Sequence, residues 1–520
     1  MNHCILCPSP CPAKEPCTPP KMEFLCNKLC TMPKRVGGNL SNILLLKAKL
    51  QVVLRAYLEE FMAGHQSLLL QVRSLKQAIT RPKPATEFQY RGTMKKKAIS
   101  LFASAGIGDL AVRAAGVNVI VANELVGDRA LLFRRNFPES EMLVGDIWDL
   151  KDQIIERTRS LLGTDELDLL IATPPCQGMS KNGQGKLLAE VRAGNRPAMD
   201  PRNRLIIPTL DIAIALNPRI IFFENVPEMA NTFILDENDE LVKILDYIPA
   251  KLGPDFVGGA EAVEFADYGV PQKRQRLITI FTRDERLKKH FSEKGSFIAP
   301  ASHSQYPKTG HENWLTVRDV IGSFPKLNAL TGENSNLDFH NLHRVPILDE
   351  KKYKWIMHTP AGKSAFDNQC INPACGFTGN AIHGSARNEE GINRSSSETP
   401  LYCEKCEEIL PRPYTLSDEK KRLMKGFTSA YKRMNWDAPA PTLTTNLSYP
   451  SSDQNIHPEQ NRVLSLHEAL TLHTITDYEY HWETSSGQAA TDGLIRDGIG
   501  ESVPPRGLEK LLRFLYLISK

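Results

Sequence analysis

A lone cysteine is the first residue in this 520-residue chain whose setting invites chemistry. Cys176 lies in IATPPCQGMS, residues 171–180, where an apolar run over 169–172 passes through Thr173 and two prolines into a short polar segment containing glycine. The run reads as a buried strand and the prolines and glycine as the loop it opens into, so the thiol stands at a strand end. A cysteine in that position is either a nucleophile or a small apolar residue packed in the core, and its immediate neighbours leave both open.

Three other groups have residue types that could carry chemistry. Glu224 follows the apolar run 220–223 in FENVP, and Arg274 and Arg276 precede the run 277–281 in GVPQKRQR. Taken singly, a carboxylate at a strand end is usually a surface residue and an arginine pair usually makes ordinary salt bridges. The third group is cysteine. Of eleven cysteines, six lie in the first 30 residues (Cys4, Cys7, Cys11, Cys17, Cys26, Cys30), four lie between 370 and 406, and Cys176 stands apart. That distribution reads as local metal chemistry plus one functional thiol, not a disulfide scaffold. Cys370 and Cys375, then Cys403 and Cys406, form two ligand pairs separated by a polar segment, the pattern of a four-cysteine zinc ribbon with a wide first knuckle. His358 and His383 rank below them as ligands. Near the start, Cys4/Cys7 and Cys26/Cys30 could grip zinc with His3, Cys11 or Cys17, but their spacing fits no single closed site. Residues 1–34 are therefore expected to be disordered or a small zinc module.

The elements that must position these groups begin near residue 98. A strand over 98–102, a turn at 104–108, a helix over 109–115 and a strand over 118–122 reaching Glu124 give the order by which an open α/β sheet binds an adenosine-containing cofactor. Glycines at 106 and 108 would let backbone approach a ligand, and Glu124 could accept hydrogen bonds from ribose hydroxyls, although glycine turns also serve plain packing. The missing three-glycine pyrophosphate fingerprint argues against NAD. Alternation continues through a helix over 129–137, a strand over 142–144 closed by Gly145 and Asp146, a helix over 147–161 and the strand 169–172. Asp146 would lie at the carboxyl edge of the sheet, where it could accept from an adenine amino group, cap the following helix, or both.

Length and composition set the outer bounds. The chain has material for two to four domains, and 41% apolar with 24% charged residues is ordinary for a globular protein. A formal net charge of +4 permits a polyanionic partner without establishing one. No run approaches the roughly 18 apolar residues of a membrane span, and the cysteine-rich start lacks the apolar core of a signal peptide, so an intracellular protein is expected. Residues 40–79 read as two amphipathic helices and 81–93 as a linker. From Lys181 to Arg204 there are six basic and two acidic residues with several glycines, which suits a mobile loop closing on a phosphate backbone. Residues 420–433 hold six basic residues and no acid, together with Phe427 and Tyr431, and read either as a nucleic-acid backbone contact or as a solvated helix face.

Taken together, AGIGDL at 105–110, ELVGDR at 124–129, GDIWD at 145–149, PPCQGMS at 174–180, FENVP at 223–227, GVPQKRQR at 269–276, RVLSLHEALTLH at 462–473 and IGESVPP at 499–505 resemble, in order and spacing, the motifs of the DNA (cytosine-5)-methyltransferases of restriction-modification systems. The resemblance covers about 98–284 and 436–520. It implies an α/β protein: a Rossmann-like, mixed-sheet methyltransferase domain over 94–284, completed by 436–520, with a smaller variable target-recognition domain over 285–435 that contains the zinc ribbon. Residues 1–34 and 35–93 would be extensions ahead of it.

The resemblance also implies roles. Cys176 would add to cytosine C6, making C5 nucleophilic, while Glu224 holds or protonates ring N3. Arg274 is expected at the base O2 and Arg276 at nearby loops or phosphate, with Asn225 and Gln272 bracing loops. The methyl donor would be S-adenosylmethionine. It would be held by Ser104, Ala105, Gly106, Ile107 and Gly108, by Glu124 at the ribose and Asp146 at the adenine, by Pro174, and from the far end of the chain by Glu501, Ser502 and Val503. Two residues depart from the family pattern: Ser104 stands where phenylalanine is common, with Phe102 two positions earlier, and Glu501 replaces the usual asparagine. Asp200, Arg202 and Leu205 resemble the start of the family's next helix, and Arg462 and Glu468, in the helix after re-entry to the core, look structural. The implied substrate is double-stranded DNA with its target cytosine extruded. A restriction endonuclease would be the functional partner, and the enzyme would act as a monomer on the nucleoid in a bacterial cytoplasm. Two other readings are RNA cytosine-5 methylation and a DNA-binding protein with a decayed site. The presence of Cys176, Glu224, Arg274 and Arg276 counts against decay.

Overall fold

Short apolar runs separated by helix-length amphipathic segments demand a sheet covered on both faces, because each run is apolar on both of its sides. The computed structural model describes residues 96–175, 200–383, 385–387, 393–395, 399–417, 419–424 and 429–520. The cysteine-rich start, the two expected N-terminal helices, Cys176 and most of the basic stretch after it lie outside the described residues.

The sheet is built from β1 (Lys96–Leu101), β2 (Val117–Glu124), β3 (Glu141–Val144), β4 (Leu169–Ala172), β5 (Ile220–Asn225), β6 (Val257–Glu264) and β7 (Gln275–Thr282). Its order is β3-β2-β1-β4-β5-β7-β6. The first five strands run parallel, and β7 enters antiparallel to both β5 and β6, which makes the sheet mixed as expected. Between the strands lie α1 (Ile107–Ala114), α2 (Gly127–Asn136), α3 (Ile147–Leu162), α4 (Ile206–Leu216) and α5 (Ile244–Leu252). Side chains alternate between two cores with the period of two that a strand requires. Leu169, Ile171, Ile220 and Phe222 enter one apolar cluster, and Leu170, Ala172, Ile221 and Phe223 enter the other.

The last helix closes the first core from the far end of the chain. Helix α9 (Pro505–Ile518) buries Leu508, Leu511, Leu512 and Leu515 in the cluster that holds Leu110 and Ala111 of α1. Its Gly507 permits the approach, since a Cβ there would meet Phe265 Cδ1 at 2.2 Å. Ahead of it are α7 (Leu466–Leu472) and α8 (Asp492–Glu501). Arg462 stands before α7, not within it, and its Nη1 and Nη2 each lie 2.7 Å from an oxygen of Glu468, with both side chains fully shielded. Glu468 and Ser465 also form a capping box at the same helix start, so one carboxylate fixes both the cap and the incoming chain.

A smaller apolar cluster lies outside the sheet. It contains Leu348, Trp355 and Ile356, around α6 (Glu350–Met357), together with Ala365, Phe366, Tyr431 and Ile456. The first residues of the basic stretch 420–433 are not helical. They form β9 (Lys420–Leu423), paired antiparallel with β8 (Tyr414–Ser417). Among the described residues, no helix is long and apolar enough to cross a membrane.

Candidate active site

The strand order reverses at β1 and β4, so the crevice beyond their carboxyl ends is where an open α/β sheet offers a ligand site. From β1 the chain leaves through Phe102 at φ 60°, Ser104 at φ 49° and Gly106 at φ 82°. Two non-glycine residues in the left-handed region within three positions mark a turn shaped for something other than economy. The turn is held by Ala103 N donating to Asn123 O at 2.9 Å and Ser104 N donating to Glu124 Oε2 at 2.8 Å. Gly106 is required twice over: for its φ, and because a Cβ there would lie 2.6 Å from Phe137 Cε2.

Glu124 ends β2 nearly buried, with Oε2 on Ser104 N and Oε1 on Val126 N at 2.9 Å. Each oxygen therefore has a further lone pair in a fixed direction, the acceptor set a ribose diol needs. The Ser104 hydroxyl is buried without a partner among the described residues, a second polar group awaiting one. Asp146 caps α3 by accepting from Trp148 N at 2.9 Å, while Asn123 Nδ2 fixes its loop through Leu143 O and Gly145 O, each at 3.1 Å. The capping function is thus present, and the residue is exposed. Ala105, Ile107 and Val503 are core residues whose side chains pack inward. These groups fit a nucleoside-bearing cofactor.

Two of the expected cofactor contacts have other partners. Glu501 is engaged by Arg129 of α2, with contacts of 2.7 and 3.1 Å. Burial raises its carboxyl, Arg129 opposes that, and Asp497 and Glu124 add to it. The departure from asparagine is thus matched by an arginine in ELVGDR. Ser502 lies with Oγ 3.0 Å from His473 Nε2, and its carbonyl accepts from Arg274 Nη2 at 2.6 Å.

On the other side of the crevice, β4 continues into Thr173, Pro174 and Pro175, the residues leading to Cys176. Thr173 Oγ1 donates to Phe102 O at 3.1 Å, and Asn225 Nδ2 donates to Pro174 O at 3.1 Å. The approach to the cysteine is therefore clamped by the turn after β1 and by the end of β5, with Asn225 bracing it as expected. Glu224, immediately before Asn225, is buried, and its Oε1 lies 2.7 Å from Arg276 Nε. Burial raises the Glu224 carboxyl above its ordinary range, although Arg276 and Arg274 both pull it down. A carboxyl so held can keep a proton for a ring nitrogen.

The two arginines are placed differently. Arg274 has no exposed surface, and its guanidinium donates to Leu443 O (2.9 Å), Gly500 O (2.9 Å) and Ser502 O (2.6 Å). It ties the C-terminal segment to the sheet because its side chain is buried there. Arg276, in β7, is the arginine beside the carboxylate. Gln272 braces the same junction, accepting from Leu443 N at 3.1 Å and contacting His473 Nδ1 at 3.1 Å. His473 was not singled out by sequence reasoning, although it closes the quoted motif LHEALTLH. It is fully buried, and burial and then Arg274 and Arg276 hold it far below its usual range, so it bridges Gln272 and Ser502 as a neutral ring. Asp109 was also missed, although it lies within AGIGDL. Burial pushes its carboxyl up to about 7 beneath the turn.

The four later cysteines converge. Cys370, Cys375, Cys403 and Cys406 bring their Sγ atoms within 4.8 Å of one another, with Cys370–Cys406 at 3.6 Å and Cys375–Cys403 at 3.8 Å. These separations exclude disulfides. They match the edge of about 3.8 Å expected of a tetrahedron with metal–sulfur bonds of about 2.3 Å. Each pair ends in a left-handed residue, Gly376 at φ 56° and Glu407 at φ 58°, so both knuckles turn alike.

A sequence model of the family described as C-5 cytosine-specific DNA methylase matches residues 96–516. The chain is 30% identical over 434 residues to the Type II methyltransferase M1.HgaI of Avibacterium volantium, covering 81% of this chain and 99% of that one. It is 29% identical over 257 residues to the Type II methyltransferase M1.HphI of Haemophilus parahaemolyticus, covering 49% of this chain and 60% of that one. Among solved structures, the methyltransferase EhMeth of Entamoeba histolytica aligns over 82% of this chain and 99% of its own, at 13% identity and a TM-score of 0.43.

Proposed function

Because the chain belongs to the C-5 cytosine-specific DNA methylases, we propose that it methylates C5 of a cytosine extruded from double-stranded DNA, as the modification partner of a restriction endonuclease in a bacterial cytoplasm. The observation that carries the reading is the Glu224–Arg276 pair beside the clamped segment 173–175, at the edge of the sheet that also holds the Ser104–Gly106 turn and Glu124. One crevice thus offers a cofactor cradle, a carboxyl whose proton affinity burial raises and the approach to a cysteine.

In this reading the Cys176 thiolate adds to C6, and the displaced electron pair makes C5 nucleophilic. Glu224 hydrogen-bonds or protonates N3 as charge develops there, and Arg276 faces the base O2 while orienting Glu224. After transfer, loss of the C5 proton and of the thiolate restores the aromatic ring and the free cysteine. S-adenosylmethionine supplies the electrophilic methyl group when bound. Ser104, Glu124 and Asp146 would hold its nucleoside, and Arg274, through Gly500 and Ser502, would hold the C-terminal wall.

Residues 285–435 act in this reading as the target-recognition region, and the four cysteines as a structural zinc site within it. Incubation with tritiated S-adenosylmethionine and either duplex DNA or tRNA tests the assignment. Label is expected in DNA, at cytosines that bisulfite sequencing then locates, and is expected to vanish with Cys176→Ser while donor binding persists. Label in tRNA alone would overturn the DNA reading.

A further inference from the structure

The basic ribbon formed by β8 and β9 is rooted through Tyr414 and Leu423 and exposes basic residues beyond that root. Its register sets Tyr414 opposite Leu423, Thr415 opposite Arg422, Leu416 opposite Lys421 and Ser417 opposite Lys420. Directly opposed residues share a face, so Tyr414, Leu423, Leu416 and Lys421 lie on one side and Thr415, Arg422, Ser417 and Lys420 on the other. The first side is anchored at its base, while Leu416 and Lys421 on it are exposed. Tyr414 and Leu423 pack on the small apolar cluster, with the Tyr414 and Trp355 rings edge to face at 5.5 Å. Thr415, Lys420 and Arg422 are exposed.

The fold also brings a second source of charge to this ribbon. Lys351 of α6 lies 5.4 Å from the Tyr414 ring centroid, and Lys421 lies 5.3 Å from the same centroid. Two ammonium groups near one ring concentrate positive charge at the root of the ribbon. The ribbon is held rigidly enough to present the pair. Arg412, two residues before β8, has no exposed surface and donates to Asn368 O (2.8 Å), Ala381 O (2.9 Å) and Pro400 O (2.7 Å), which tie it to the segments flanking both cysteine pairs.

Resting on the duplex-DNA reading above, we propose that this ribbon enters the major groove of the target duplex. Lys351 and Lys421 grip a backbone phosphate, and the face carrying Thr415, Lys420 and Arg422 lies toward the base edges. The major groove admits a two-stranded β-ribbon, and arginine on guanine is its commonest specific contact. The tip supports the groove over the backbone. Glu419 there is exposed and would be repelled by phosphate, whereas an acid can accept from cytosine N4 in the groove.

The test compares full-length variants on two duplexes, one containing the site that bisulfite sequencing shows the wild type to methylate and one unrelated, across a salt series. Lys351→Ala/Lys421→Ala should weaken both duplexes about equally and flatten the slope of log affinity against log salt by about 1, since each neutralised phosphate contributes about 0.9. Thr415→Ala/Arg422→Ala should weaken the specific duplex roughly tenfold to a hundredfold more than the unrelated one and relax the methylated sequence at one or two base pairs. Exposed Lys289→Ala serves as the control, and equal melting temperatures exclude misfolding. Wild-type affinity and salt slope in both double variants would overturn the ribbon assignment alone. A wild-type protein that binds and methylates no duplex would overturn the proposed function and the ribbon with it.

Discussion

Arg276 Nε meets Glu224 Oε1 at 2.7 Å, and neither side chain is more than 12% exposed. The pair orients a buried carboxyl while leaving its proton affinity above the ordinary range. Burial raises its proton affinity, and the arginine lowers it only in part. Methyl transfer that needs the protonated carboxyl should decline on the alkaline side of a titration centred above 4.5, the ordinary glutamate value. Arg276→Gln removes a lowering charge, so it should move that limb further upward as well as cutting the rate about 10²–10³-fold. Single-turnover rates over a pH series check both signs. A limb that stays in place or moves down in Arg276→Gln would sink the assignment.

Arg274 predicts a different signature although it lies only two residues away. It satisfies three backbone carbonyls, and no lysine can reproduce a planar fork reaching all of them. Arg274→Lys should lower the melting temperature and raise the Michaelis constant for the methyl donor, because Gly500 and Ser502 lose their tether, while saturating turnover falls less. Calorimetry and initial rates separate the two. A pure loss of turnover at unchanged stability would return Arg274 to the base.

How legible the site was depended on whether a residue's role follows from its own strand. Strand ends near Leu101, Glu124, Ala172 and Asn225 follow from apolar runs, so the carboxyl edge of the sheet was readable, whereas the strand order that makes the crevice was not. The roles of Arg274, His473 and Glu501 were not. Each is set by a contact across more than 200 positions of sequence, to Gly500, Gln272 and Arg129 respectively, and no local pattern encodes such a pairing. The basic stretch after Lys420 was ambiguous for a related reason. Its strand character comes from pairing with Tyr414–Ser417, whose alternation is too short to stand out alone.

Gly106 joins a backbone requirement to a packing one. Gly106→Ala must bear a left-handed φ and a contact of 2.6 Å with Phe137, so donor affinity should fall at least tenfold and stability by about 1–2 kcal/mol. Gly108→Ala is the contrast, since its Cβ would meet only Leu508 Cδ2 at 3.9 Å. Equilibrium binding of a non-reactive donor analogue should separate the two variants, and equal binding would remove the turn from the cofactor site.

Four cysteine sulfurs within 4.8 Å of one another form a closed ligand set for one cation. Native protein should carry one zinc ion per chain from this cluster by elemental analysis. Cys403→Ser should release it and lower stability without abolishing donor binding, because the cradle at Ser104 and Glu124 is built on a separate core. Protein purified without chelators that retains no zinc would end the claim.

The junction beyond β7 should make this protein sensitive to mild acid. His457 and His467 are held down to about 3, burial being the main cause, while an unfolded chain takes up those protons near 6.5. Each therefore costs stability as pH falls from 6.5 toward 3, since only the unfolded state gains protons there. Glu468 acts lower. Burial raises it, but Arg462 overcomes burial and brings it to about 2, below the ordinary 4.5. Its contribution is complete above about pH 4.5 and is lost as pH falls toward 2. Asp109, pushed up to about 7, opposes this by taking up a proton in the folded state over the same range, but the two histidines together outweigh it, so melting temperature should fall below pH 6.5. His467→Phe, which keeps the stacking position against Phe324, should flatten the decline between 6.5 and 4.5. Glu468→Gln should leave that decline intact but cost about 3–5 kcal/mol at neutral pH by stranding Arg462. A melting temperature flat from pH 7 to 5 in the wild type would contradict the neutral-histidine account.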